Sequence, residues 1–196
     1  MCPGKYSEVP LYHAATLGLR DLAEHLIDKH PEYVDARGGM DRTPTCAAAF
    51  EGHADILSLL LDHGANLGAR GVNGWTPLHI TSTHGKEEAD RTLLGGADIN
   101  SCDDIDETPL FWAVIAKRVE FVRMLLERGA MVDVRNDHNR TPLHFAVSRY
   151  VRMLLEHGAD VNARDNSGNT PSHLVSALRD PGIGGLLSEY GAESIK

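Results

Sequence analysis

Small and apolar residues in this chain fall into two kinds of short run that alternate. The first kind is compact and follows a proline, as in Ala14-Ala15 after Pro10 and Ala47-Ala48-Ala49 after Pro44. The second kind shows helical spacing, as in Ile56, Leu59, Leu60 and Val122, Leu125, Leu126, which is the stripe of an amphipathic helix. Proline suits the first turn of a helix, where its missing N–H had no partner. Threonine before it, as in Thr43-Pro44, offers a hydroxyl cap. Gly18, Gly52 and Gly85 stand between the two kinds of run and predict a left-handed turn. Gly64, Gly96, Gly129 and Gly158 close the second kind. The prediction is a helix, a tight turn, a second helix and an extended loop, over and over.

The repetition has a measurable period. Thr43-Pro44, Thr76-Pro77, Thr108-Pro109, Thr141-Pro142 and Thr170-Pro171 are separated by steps of 33, 32, 33 and 29 residues, and Val9-Pro10 lies 34 before the first. Such self-similarity marks a solenoid of stacked units, each too small to bury its apolar face alone. Six units fill most of the 196 residues without a linker or low-complexity stretch.

Thr76-Pro-Leu-His79 and Thr141-Pro-Leu-His144 are full copies of one motif, and Thr170-Pro-Ser-His173 and Thr108-Pro-Leu-Phe111 are near copies. Gly64-Ala65, Gly129-Ala130 and Gly191-Ala192 follow 21 residues after their threonines, and Ala97-Asp-Ile-Asn100 and Ala159-Asp-Val-Asn162 complete the pattern. On these residues the chain resembles the ankyrin repeat family over about residues 5–193. The resemblance implies an all-α, elongated and curved ankyrin-repeat solenoid. It would hold about six helix-turn-helix repeats, joined by β-hairpin loops and forming a single domain. The first repeat, with Asp21 to Pro31, also resembles the ankyrin tails of large fungal NACHT-type proteins.

Composition narrows the function. A net charge of −9 and a pI near 5.6 argue against nucleic-acid or anionic-membrane partners. No 18-residue apolar run and no secretory leader occurs. Three scattered cysteines, Cys2, Cys46 and Cys102, read as free thiols in a reducing cytoplasm or nucleus. Eleven histidines invite a metal site, but zinc-type spacing is absent. His79, His144 and His173 occupy the motif position, where the family resemblance implies structural hydrogen bonds, and Tyr12 and Cys46 hold the equivalent places. No phosphate loop or nucleophile elbow is present either, so the expectation is no cofactor and no enzyme activity.

The family resemblance implies a monomeric module that binds a protein or peptide on a concave face of hairpin tips and first-helix ends. Register then names the residues. Glu8, Arg42, Trp75, Glu107, Arg140 and Asn169 precede each Thr or Val position, and Thr16-Leu17, Phe50-Glu51, Thr83-His84 and Ile115-Ala116 end the first helices. Leu17, Phe50 and Ile115 are apolar where solvent is expected, the signature of a hot spot. With Asp104 from the acidic run Asp103–Glu107, the candidate partner-binding set is Arg42, Phe50, Glu51, Trp75, Thr83, His84, Asp104, Glu107, Ile115 and Arg140. Trp112 and Phe145 fall inside first helices and are assigned to the inter-repeat core. A passive spacer or sensor segment of a larger signalling protein is the alternative.

Departures from the period predict local differences. Repeat five lacks four residues between Val147 and Tyr150, which predicts a tightened turn at 148–150. The short second helix of repeat three carries five charges within Lys86–Arg91 and should rotate to expose Asp90 or Arg91. That makes 86–95 the softest internal stretch. Lys117 replaces the turn glycine of repeat four, and Pro181-Gly-Ile-Gly-Gly185 marks a worn last unit, either a cap or the edge of a longer array.

Overall fold

The computed structural model describes residues 9–176 and 181–193. Glu8 and Cys2 lie outside that range. The chain divides into two compact units, Met1–Asp103 and Asp104–Lys196. The single domain expected over residues 5–193 spans both units.

The first unit holds three helix pairs: α1 (Pro10–Leu17) with α2 (Arg20–Lys29), α3 (Pro44–Glu51) with α4 (Ala54–Asp62), and α5 (Pro77–His84) with α6 (Glu87–Leu94). First helices stack on one another, α1 on α3 on α5, and second helices form the other layer, α2 on α4 on α6. The alanines decide the spacing. Ala14, Ala15, Ala47, Ala48 and Ala49 are buried and let neighbouring backbones approach. Ile56, Leu57, Leu59 and Leu60 of α4 supply the apolar filling, as the helical spacing predicted.

The second unit has α7 (Pro109–Ile115), α8 (Val119–Glu127), α9 (Ser148–Glu156), α10 (Pro171–Ser176) and α11 (Pro181–Glu189). Helix α11 forms despite its glycines, with Ile183, Leu186 and Leu187 buried. In repeat five the first helix shrinks to a single 3-10 turn, Pro142–Phe145. Ala146 and Val147 are then extended (ψ 133° and 165°), and α9 begins at Ser148. The tightening therefore falls two residues earlier than expected, with 148–150 already helical. The reason is that both flanks are fixed. A capping box anchors Thr141 and His144, and Tyr150, Val151, Leu154 and Leu155 must stay buried. The deletion lands between them.

Tyr150 brings a hydroxyl into this core. It is 1% exposed and its Oη has no hydrogen-bond partner. Tyr150→Phe is expected to raise stability by about 1 kcal/mol, because a buried polar atom without a partner carries its desolvation cost uncompensated. A urea midpoint that does not rise would contradict this.

The turn between paired helices explains Lys117. Gly52 sits at φ 84°, and His53 N donates to Ala48 O at 2.9 Å. Lys117 adopts the same left-handed geometry at φ 61°, with Arg118 N on Ala113 O at 2.9 Å. A side chain there strains the backbone, so Lys117→Gly is expected to stabilise by about 1 kcal/mol in denaturant unfolding.

Helix α6 corrects the sequence expectation. It does not rotate, and Asp90 is fully buried beside Ala89, Leu93 and Leu94. Its register matches Leu57 of α4. Turning Asp90 out would turn the leucines out too, at about 1.5–3 kcal/mol each. The missing residue is absorbed at the helix end instead. Ala97 N reaches Leu93 O, four residues back, where Ala65 N reaches Leu60 O, five back. Gly95 is accordingly right-handed, at φ −69°. The helix buries far less apolar surface than α8, which buries Phe121, Val122, Met124, Leu125 and Leu126. Amide exchange over 86–95 is expected to be faster than over 119–127.

The loops between repeats reverse tightly. Gly38 N donates to Arg42 O (2.9 Å), Gly71 N to Trp75 O (2.9 Å), Asn136 N to Arg140 O (3.0 Å) and Asp165 N to Asn169 O (2.9 Å). The described residues contain no strand, so the expected β-hairpins exist only as these single-bond reversals. Side chains tie successive loops together. Arg37 Nη1 donates to Arg70 O and Arg70 Nη1 to Cys102 O, both at 2.8 Å, in the first unit. Arg135 Nη1 donates to Arg164 O at 3.1 Å in the second. The recurring arginines at the repeat period were a sequence signal for this ladder.

Candidate interaction surface

In the motif repeats, the threonine–histidine pair is an internal fastener. Thr141 N donates to His144 Nδ1 at 3.0 Å, so Nε2 carries the ring proton and donates to Asn169 O of the following loop at 3.3 Å. Burial of the ring lowers the His144 pKa. Thr76–His79 and Thr170–His173 repeat the local pairing. Where Phe111 replaces histidine, Thr108 Oγ1 is buried without a hydrogen bond. Cys46 is the third variant. It is fully buried, and burial pushes its thiol pKa up. His63 and His157 each donate from Nδ1 to a carbonyl one turn back, Leu59 O and Met153 O. These rings cap helix C-termini.

The first unit brings four of the sequence-selected residues together. Phe50 sits on the last turn of α3 with 38% of its surface exposed. The Arg42 guanidinium carbon lies 5.4 Å from the centre of its ring. The arginine stem runs against the next loop, so that a methyl group on Gly71 would lie 3.3 Å from Arg42 Cγ. His84, at the end of α5, packs its ring 4.3 Å from Phe50 at 52°. His84 Nδ1 is 2.7 Å from Ile80 O and from Thr83 Oγ1, which fixes the imidazole on its own helix. Glu51 is exposed beside Phe50, and Trp75 is half-buried.

The second unit distributes its candidates differently. Glu107 is 5% exposed, and its Oε1 accepts from Asn136 Nδ2 at 2.8 Å. Arg140 Nε donates to Asp165 Oδ2 at 3.2 Å, with the guanidinium 6.0 Å from the Phe145 ring centre. These two register-selected side chains are held by neighbouring loops of their own unit and do not form an open surface. Register fixes where a side chain starts but not whether the next loop offers it a partner. Ile115 and Asp104 are exposed. The acidic run is not uniformly solvated, since Asp103 is buried along with Glu107. Phe111 is the fully buried aromatic here, while Trp112 and Phe145 are only half-buried.

Sequence reasoning missed Asp165. It accepts from Ser167 N and Asn169 N at 2.9 Å as well as from Arg140. Burial works to raise its pKa, but these hydrogen bonds prevail and hold it below the usual carboxylate value. Among the described residues no three His, Cys, Asp or Glu side chains converge as a metal site, and no helix is long and apolar enough to cross a membrane.

The family profile described as ankyrin repeats (3 copies) matches residues 11–103 and 91–165. The chain belongs to the ankyrin-repeat family. It is similar to an ankyrin repeat domain from Acinetobacter baumannii AYE, with a TM-score of 0.87 and 27% identity, covering 95% of this chain and 100% of that one. The ankyrin repeat domain of Bcl-3, described as a unique member of the IkappaB protein family, gives a TM-score of 0.85 at 29% identity, covering 94% of this chain and 87% of that one. Human ankyrin repeat and KH domain-containing protein 1 is 39% identical over 103 residues, 51% of this chain. The chain spans only 4% of that relative's length. Ankyrin-repeat domains are in general protein–protein interaction modules.

Proposed function

We propose that this chain is a non-catalytic protein–protein interaction module, and that its first unit grips a peptide segment of a partner on the surface around Phe50. One observation carries the reading. An aromatic ring stands in solvent, flanked by Arg42 and His84, at a position the fold does not need to be apolar. In an ankyrin repeat the fold's apolar demands are met by the alanines and leucines of the two layers. An exposed aromatic anchor held by its neighbours is what concentrates binding energy in an interface. Glu51, Thr83 and Trp75 would form its surround.

A displayed random-peptide library selected on the full chain tests this. Peptides enriched by the wild type are expected to be lost with Phe50→Ala, His84→Ala, whose circular dichroism should match the wild type. Retention of the same peptides by the double variant would move the site elsewhere. Failure to enrich any peptide would favour a passive spacer.

A further inference from the structure

We infer that the Arg42–Phe50–His84 cluster recognises a side-chain carboxylate, so that the peptide bound there carries an aspartate or glutamate seated on Arg42. This rests on the interaction reading above and adds the chemistry of the partner to it.

The arginine is the central observation. Among the described residues, no carboxylate or carbonyl accepts a hydrogen bond from the Arg42 guanidinium, and its one recorded contact is the Phe50 ring. Other arginines of the first unit are engaged. Arg37 bonds Asp41 and Arg70 O, Arg70 bonds Cys102 O, Arg20 bonds Asp55 O, and Arg91 pairs with Glu87. Arg42 is nevertheless not loose. Its stem runs against Gly71, and its guanidinium carbon lies over the Phe50 ring. Phe50 is in turn braced by His84, whose imidazole is tied to Ile80 O. A guanidinium stacked on an aromatic ring keeps its N–H edge available in the plane, the geometry that meets a carboxylate with two parallel bonds. Contact with the ring reduces the rotamer entropy that such a pair must still lose on binding.

Many exposed acids of the first unit lie on the second helices, with Asp21, Glu24 and Asp28 on α2, Asp55 and Asp62 on α4, and Glu87 and Glu88 on α6, and others stand in the loops, at Glu32, Asp35, Asp41 and Asp98. Asp41, next to Arg42 along the chain, pairs with Arg37 at 3.2 Å. Arg42 precedes the N-terminus of α3, in the other layer, and Glu51, the exposed acid of that helix, stands at its C-terminal end. An incoming carboxylate thus meets an unneutralised cation in a protein of net charge −9. A basic peptide would meet that same cation with repulsion.

The test uses the full chain and paired pools of fluorescent random hexapeptides, acetylated and C-amidated so that no terminal carboxylate remains. One pool fixes a central glutamate and its partner fixes glutamine. Fluorescence polarisation should show the glutamate pool binding about tenfold or more tighter than the glutamine pool. Arg42→Gln should erase that preference while leaving the thermal midpoint unchanged. Arg42→Lys should retain only part of it, since a lysine supplies charge without the planar fork. If both pools bind equally and Phe50→Ala abolishes both, the interaction surface stands and carboxylate recognition is overturned. A glutamate preference that survives in Arg42→Gln likewise overturns the assignment, by placing the acid site elsewhere. If neither pool binds, carboxylate recognition fails and the interaction reading fails with it.

Discussion

Phe111→Ala should cost about 3–5 kcal/mol of stability, whereas Phe50→Ala should cost about 1 kcal/mol or less. The two phenylalanines are both in first helices, and composition cannot separate them. Phe111 is 0% exposed and packs edge-on against Phe145 at 6.0 Å. Truncating it leaves a cavity in a layer whose backbone is held on both sides, so collapse cannot fill the space. Phe50 is more than one-third exposed, and its removal leaves a gap open to solvent and not an enclosed cavity. Urea unfolding of both variants against the wild type reads the contrast directly. Equal losses would mean that Phe50 is a core residue and would remove the ground for the proposed surface. Phe111 also leaves the Thr108 hydroxyl without its usual histidine partner, so this repeat is held by ring packing where its neighbours use a hydrogen bond.

His144→Ala should cost about 1–3 kcal/mol at neutral pH, because the buried Thr141 N–H and Asn169 carbonyl both lose their partner. The same site should make stability fall with acid. The folded protein holds His144 below its ordinary pKa, chiefly because the ring is buried. Between that lowered value and about 6.5 the unfolded chain binds more protons than the folded one. Stability is therefore fully present above the ordinary histidine pKa and declines as pH falls through it, levelling off below the folded value. Protonating Nδ1 would also aim a proton at the Thr141 N–H, which donates there. Unfolding measured from pH 7.5 to 5 should show this slope in the wild type and a shallower one in His144→Gln. Identical slopes would refute it. A further decline below the carboxylate range is expected from Asp165, whose lowered pKa makes its stabilisation vanish on protonation.

Much of this was legible in the chain itself, for a physical reason. Each repeat's local rules are short-range: proline at a first turn, a left-handed residue between helices, helical spacing of leucines. Such rules can be read at every copy. They located the helices, showed that Lys117 must take a left-handed turn, and marked the shortened fifth repeat. Register also identified Phe50, Ile115 and Leu17 as exposed apolar positions.

The chain's own pattern thus suffices for its repeat, its family and the positions that face away from the helix layers. What each of those positions does depends on packing between repeats. Asp90 stays buried because its helix cannot turn without exposing Leu93 and Leu94. Glu107 and Arg140 close onto the next loop because Asn136 and Asp165 lie within hydrogen-bond reach, while Arg42 has a ring beneath it and no described acceptor. Such outcomes depend on side chains about 25 to 33 residues apart, and a distance of a few ångström between neighbouring repeats is fixed by packing and not by spacing along the chain.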